Sequence, residues 1–302
     1  MTTVRGSEKA GLAVLCRLLG RTRQAYYNQF RESERAALRG DLAVQEVMRI
    51  RKKQKRLGVR KLYFLMADFF NRHGMGMGRD AFFDLLRESG MLVRRRKARK
   101  PRTTFSCPWM KRYPNLAREF VPFAPNQLWV SDITYIRIGM GFGYLSLVTD
   151  AYSRKIVGFH LGEDLRSKGC VAALRMAMRN NRQREGLIHH SDRGIQYYSR
   201  RYIRMLGDIR ISMSEKSDPI ENAIAERVNG ILKQELLEER FDSFSEARRK
   251  VAEAVSIYNN LRPHSSIDML TPAEAHTQTG ELKRRWKHYY SNKLAAMSQA
   301  SA

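Results

Sequence analysis

From residue 126 the sequence reads QLWVSDITYIRI and GYLSLVTDAYS, two alternating, β-branched runs, with RKIVGFHLG directly after them and glycines at 139, 141 and 143. Alternation at period two buries one face of a strand, and runs this closely spaced pair with their neighbours. The pattern predicts three consecutive antiparallel strands. Helical periodicity then interrupts twice: SKGCVAALRMAMRNN reads as an amphipathic helix, GLIHHSD as a short strand, SRRYIRMLG as a helix and RISMSE as another strand. The order β-β-β-α-β-α-β-α predicts an α/β fold, a mixed five-stranded sheet with helices on its faces. A further helix is expected over DPIENAIAERVNGILKQEL, capped by Asp218 with Pro219 in its first turn, and another over SFSEARRKVAEAVSIYNN, where Ser243 and Glu246 match a capping box.

The upstream third reads differently. GLAVLCRLLGRTRQAYYNQ predicts an apolar helix ending at Gly20 and a second, short helix opened by Thr22. Leu, Val, Met and Phe at three-to-four spacing then predict helices over approximately 41 to 56, 59 to 73 and 79 to 89, broken at Gly58 and at HGMGMG. The last carries Arg79 and Asp80 in its first turn, where a recognition helix presents its N-terminus to a major groove. Residues 94 to 102, RRRKARKPR, place seven basic residues in nine positions, among them Arg94, Arg95, Arg96 and Lys97, before a stretch rich in Pro and aromatics without period. This reads as a basic linker that tracks phosphates. The expected organisation is a helical segment 1–40, a helix-turn-helix region 41–93, the linker 94–119, an α/β core 120–279 and a basic tail 280–302.

Charge decides the class of partner. The 302 residues carry 56 Lys plus Arg against 30 Asp plus Glu, a net +26. Such an excess favours a polyanion, because neutralising phosphates releases counterions. Charge alone leaves an enzyme acting on nucleic acid and a passive binder equally open. Cys16, Cys107 and Cys170 lie far apart, which supports neither a disulfide framework nor a zinc site. No window approaches eighteen uncharged apolar residues and no signal-peptide h-region is visible, so a cytoplasmic, DNA-associated protein without a membrane span is expected.

Three acids stand out against this basic background. Asp132 sits in the middle of the first strand, where an uncompensated carboxylate is costly and something positive should face it. Asp192 ends the fourth strand, and placing that strand beside the first would bring the two acids together at a carboxyl end where ligands gather. On the helix after Asp218, residues Asn222, Glu226, Asn229 and Lys233 share one face, with Ala223, Ile224, Val228, Ile231 and Leu232 on the buried side. Three convergent carboxylates suit hard divalent cations, Mg²⁺ or Mn²⁺, and two such ions could clamp the attacking and leaving oxygens of a phosphodiester. Taken singly, each acid also has an ordinary reading: Asp132 as a hydrogen-bond acceptor, Asp192 as a cap before Arg193 and Gly194, Glu226 as a partner for a basic neighbour.

LWVSDITYI, VTDAYSRKIVG, HHSDRGIQY, NAIAERVNGILKQE and YNNLRPHSSIDMLTPAE, in this order, resemble the integrase catalytic core of insertion-sequence transposases, specifically the catalytic OrfB protein of the family named IS-three. The likeness is dense over residues 120 to 275, and the helices from 41 to 93 look like the module such proteins carry upstream. The resemblance implies a ribonuclease-H-like fold and a DDE triad of Asp132, Asp192 and Glu226 holding two Mg²⁺ (or Mn²⁺) ions. It implies DNA cleavage and strand transfer at the terminal inverted repeats of a bacterial element, through a circularised intermediate, by at least a dimer, with an upstream OrfA frame sometimes fused by frameshifting. Lys233 occupies the place of a basic residue that contacts the element's end, and Asn222, Asn229, Arg193, Gln196 and Tyr197 are expected to flank DNA beside it. Thirty-three residues separate Asp192 from Glu226, two fewer than the family spacing, which makes Glu221 and Glu215 the alternatives. Glu226 is preferred because Glu221 lies five residues earlier and points elsewhere on the helix. Asp150 reads as structural, and His189 and His190 as groups that orient Asp192 or touch DNA rather than bind metal.

Overall fold

A computed structural model describes residues 12–94, 96, 113–181, 184–215 and 222–283. The chain divides into two compact units, one of residues up to Lys52 together with Gly58–Leu92, the other of Lys53–Leu57 and the chain from Val93 onward.

The first unit is all helix. Helix α1 (Leu12–Leu18) ends in a turn at Gly20, and Thr22 Oγ1 opens α2 by accepting the Ala25 N–H at 3.0 Å. Contrary to the expectation of two helices, α2 runs unbroken over Arg23–Lys53 and crosses position 40. Gly40 does not stop it: a Cβ there would stand 3.2 Å from Leu85 Cδ1, so the missing side chain serves close packing against α5. Helices α3 (Val59–Leu65), α4 (Ala67–Arg72) and α5 (Arg79–Glu88) follow, with Met66 dividing the single helix expected over 59–73. Ala43, Val47, Leu62, Met66, Phe70, Phe82 and Leu86 are buried, and Tyr63, Phe70 and Phe82 stack with centroids 5.6–5.9 Å apart.

The second unit is built on five strands in the order β3-β2-β1-β4-β5. Strands β1 (Leu128–Ile138), β2 (Gly141–Asp150) and β3 (Ile156–Gly162) form the expected antiparallel meander, turning first at Gly139, whose φ of +51° suits a residue without Cβ. Helix α6 (Ser167–Asn180), β4 (Ile188–Ser191), α7 (Arg200–Leu206) and β5 (Arg210–Met213) follow, with β4 parallel to both β1 and β5. One face packs Trp129, Val148 and Val157 against Leu174, Ala177 and Tyr202 of α6 and α7. Here Gly158 lets α6 approach: a Cβ would lie 2.1 Å from Ala173 O. The other face packs Leu145 and Leu147 against α8 (Ala223–Ile231) and α9 (Phe244–Asn260).

Ser243 caps α9, accepting the Glu246 N–H, but the Glu246 carboxylate reaches the Asp242 N–H instead of closing the box on Ser243. The complete capping box belongs to Thr271 and Glu274 at α10 (Pro272–Ala275). The expected caps Asp218 and Pro219, the alternative acid Glu221, Cys107 and most of the basic linker and tail lie outside the described residues. Cys16 and Cys170 are buried free thiols. No described helix is long and apolar enough to cross a membrane.

Candidate active site

The β1–β4 ladder ends with Ser131 opposite Ser191, so Asp132 within β1 and Asp192, the residue that follows β4, come together at the carboxyl end of β4. Asp132 Oδ1 accepts its neighbour Ile133's N–H at 2.8 Å, and Oδ2 accepts Asn229 Nδ2 at 2.7 Å. Burial and then the Asp192 charge push Asp132 up to about 7, with a smaller push from Glu226. Burial likewise raises Asp192, against the Gly194 N–H that it accepts at 3.0 Å. Gly194 gives the carboxylate room, since a Cβ would stand 3.0 Å from Asp192 Oδ1 and would press on it. The cation expected to face Asp132 is Lys233: its Nζ lies 3.4 Å from Thr134 Oγ1, and Asp132 pulls upward on an ammonium that burial holds below its ordinary value.

Glu226 projects from the first turn of α8 and is exposed. The three acids do not stand as a finished cage: among the described residues, no three His, Cys, Asp or Glu side chains are gathered closely enough to hold an ion. Asp132 and Asp192 are half-buried, and Glu226 is exposed. The donors nonetheless fit a hard divalent cation. They are all carboxylate oxygens, and two share a half-buried place that raises both of them.

Several residues expected to flank DNA are engaged within the protein. Asn222 and Asn229 are buried, and their Nδ2 groups go to Ser131 O at 3.1 Å and to Asp132. Their side of α8 packs on β1, while Ala223, expected inside, is exposed. Arg193 Nε donates to Ser214 O at 2.7 Å and Gln196 Nε2 to Leu165 O at 2.9 Å, which fixes the loop after Asp192. Tyr197 is buried in the core. Arg96 folds back onto carbonyls of residues 233 and 237. Arg94 is exposed, and Arg79 is exposed in an ion pair with Asp80. Arg95 and Lys97 lie outside the described residues.

His189 and His190 are both buried, because β4 lies inside a sheet covered on both faces, so neither can touch DNA. His189 Nε2 meets Ser131 Oγ at 2.8 Å and the Tyr202 hydroxyl at 2.9 Å, and burial drives its pKa down to about 3. His190 Nδ1 meets Ser212 Oγ at 2.8 Å. These serine, tyrosine and histidine contacts sit directly beneath the two aspartates and had no signature at sequence level beyond polar residues at inward strand positions. Asp150 is structural, accepting the N–H groups of Asn126 and Ser153 and the Ser153 hydroxyl.

Family comparison agrees with this architecture. Two models of the integrase core domain match, over residues 122–219 and 207–272. The insertion element IS600 31 kDa protein of Shigella sonnei is 37% identical over 86% of this chain and 96% of its own length. A Mycobacterium tuberculosis protein assigned as transposase for insertion sequence element IS986/IS6110 is 32% identical over 82% of this chain and 92% of its own. The transposase for insertion sequence element IS629 of Shigella sonnei is 29% identical over 89% and 92%. The HTLV-2 integrase catalytic core domain, solved in complex with magnesium, aligns with TM-score 0.41 at 18% identity, over 52% of this chain and 99% of that one. With relatives of this identity matched over nearly their full length, the chain belongs to the insertion-sequence transposases that carry an integrase core domain.

Proposed function

We propose that this chain cleaves DNA and transfers strands at the ends of an insertion sequence, with Asp132, Asp192 and Glu226 as its catalytic carboxylates. The observation that carries the reading is the half-buried Asp132–Asp192 pair, brought together by two parallel strands and offset, among the described residues, by Lys233 and hydrogen bonds. The integrase core family implies dependence on a divalent metal. The proposed ions are Mg²⁺ or Mn²⁺, two per site, which would activate the attacking oxygen and stabilise the leaving one.

The chain's own residues prepare that site. Asn229 and the Ile133 N–H fix both oxygens of Asp132, and Gly194 brings its backbone close to Asp192. Lys233 supplies positive charge beside Asp132, where it can meet a phosphate of the element's end. Arg79 and Arg94 extend the contact to the DNA backbone, together with Arg95 and Lys97. The Arg79–Asp80 pair is exposed and therefore weak, so a phosphate can displace it. The proposed partners are the terminal inverted repeats and target duplex, a second copy of the chain for synapsis, and an upstream OrfA protein. Helices within 41–93 serve as the DNA-binding region and residues 120–279 as the catalytic core.

The test is incubation of the purified chain with Mg²⁺ and a duplex ending in the inverted repeat that flanks its gene. Cleavage with joined products supports the reading. Cleavage without joining would make it a nuclease, and binding without cleavage a DNA-binding regulator.

A further inference from the structure

The helix that carries Glu226 changes character before it ends. After Ile231 the chain enters a π-helical turn, Leu232–Leu236, in which the Leu237 N–H donates to Leu232 O at 2.8 Å. Such turns are rare, occur mostly as single-turn bulges and are frequent at functional sites. Lys233 lies on this turn, so its direction toward Thr134 and Asp132 depends on the wider winding. The turn's outgoing carbonyls lack the next helical N–H donors, as at any helix end.

Arg96 supplies them. Its Nη1 donates to Lys233 O at 3.0 Å and to Leu237 O at 2.9 Å, while its Nε stands 3.1 Å from Glu239 Oε1. The side chain is only 22% exposed, in a linker whose composition reads as solvated basic residues. A phosphate contact would have to draw the guanidinium off two carbonyls and a carboxylate at once. The planar guanidinium directs one nitrogen at both carbonyls and another at the carboxylate in a single rigid arrangement, which a flexible ammonium does not preorganise.

We propose that Arg96 is a positioning residue for Lys233: it clamps the π-turn behind the catalytic helix and so aims the Lys233 ammonium into the Asp132 site. The inference rests on the transposase reading for its assay. It links the linker between the two units to the active site through one side chain, so that displacing the linker would release Lys233.

The experiment is a double-substitution cycle on the full chain, using the same terminal-repeat duplex and Mg²⁺. Arg96→Ala should slow single-turnover joining at saturating DNA by about tenfold or more, the scale of a catalytic group moved by about an ångström. In a Lys233→Ala background the same substitution should cost little further. The dependence of log affinity on log salt should keep its slope. Arg96→Lys, which retains the charge, should behave as Arg96→Ala does and stands in for it if that variant does not fold. Independent, additive losses would overturn the inference. So would joining at the ordinary rate, or a salt slope shallower by about 0.9 with the rate restored at saturating DNA, the mark of a lost phosphate contact. Asp132→Asn separates the two claims: if it joins normally the site reading itself fails, whereas an inactive Asp132→Asn beside a normal Arg96→Ala refutes only the clamp.

Discussion

Replacing Arg262 with alanine should be among the most damaging single changes in the core, although the residue lies outside the catalytic constellation. Its side chain is 1% exposed and its Nε and Nη2 each reach a Glu235 oxygen at 2.8 Å. The guanidinium also stands 6.0 Å from the Tyr258 ring centroid. Truncation leaves Glu235, itself 20% exposed, without its forked counter-charge, and removing one partner of a buried pair costs about 3–5 kcal/mol. Replacing both partners with methionine removes both desolvation penalties and should be close to neutral. Urea unfolding of the full chain, followed by tryptophan fluorescence, gives the four corners of the cycle. A loss under about 1 kcal/mol for Arg262→Ala, the range of exposed pairs, would refute the reasoning. An equal loss with Glu235 already replaced would refute it as well.

Gly158→Ala should destabilise the α/β unit by about 1–3 kcal/mol, because the new methyl meets Ala173 O and Ala177 N, backbone atoms that cannot swing aside. Gly230→Ala, with open space around it inside α8, should instead stabilise by up to about 1 kcal/mol, and equal effects at the two sites would contradict the packing account. Buried His189 and half-buried Asp132 should give opposing pH dependences in the absence of divalent cations. His189, lowered from 6.5 to about 3, contributes stability that is complete above pH 6.5 and declines by about 1.4 kcal/mol per pH unit as pH falls toward 3. Asp132, raised from 3.8 to about 7, works the other way, with stability lost as pH rises between those values. Asp132→Asn should therefore expose a stability that climbs with pH and His189→Asn one that falls, and identical pH profiles for the two variants would refute both assignments.

The sheet was legible because the β-branched runs of β1 and β2 stand close together with β3 directly after them, and because β4 and β5 are too short to be read as helices. The adjacency of Asp132 and Asp192 followed from placing β4 beside β1, which the Ser131–Ser191 register bears out. Other features were hidden for physical reasons. The sequence separates a short helix after Thr22 from one beginning near residue 41, whereas the chain runs through Gly40, where the missing side chain admits Leu85. Asn222 and Asn229 read as a polar face open to DNA, since a helical wheel separates polar from apolar without saying what the polar side packs against. Here it packs on the polar end of β1. The π-turn leaves the hydrophobic pattern almost unchanged, so the engagement of Arg96 and of Glu235 could not be read from spacing.

The central claim is that Asp132, Asp192 and Glu226 act together as the metal-binding centre of strand transfer. It is tested most directly by Asp132→Asn, Asp192→Asn and Glu226→Gln, assayed with Mg²⁺ for joined products and, separately, for binding to the terminal-repeat duplex. The account predicts that each substitution abolishes joining while end binding persists. Ordinary joining by any one of the three would contradict it.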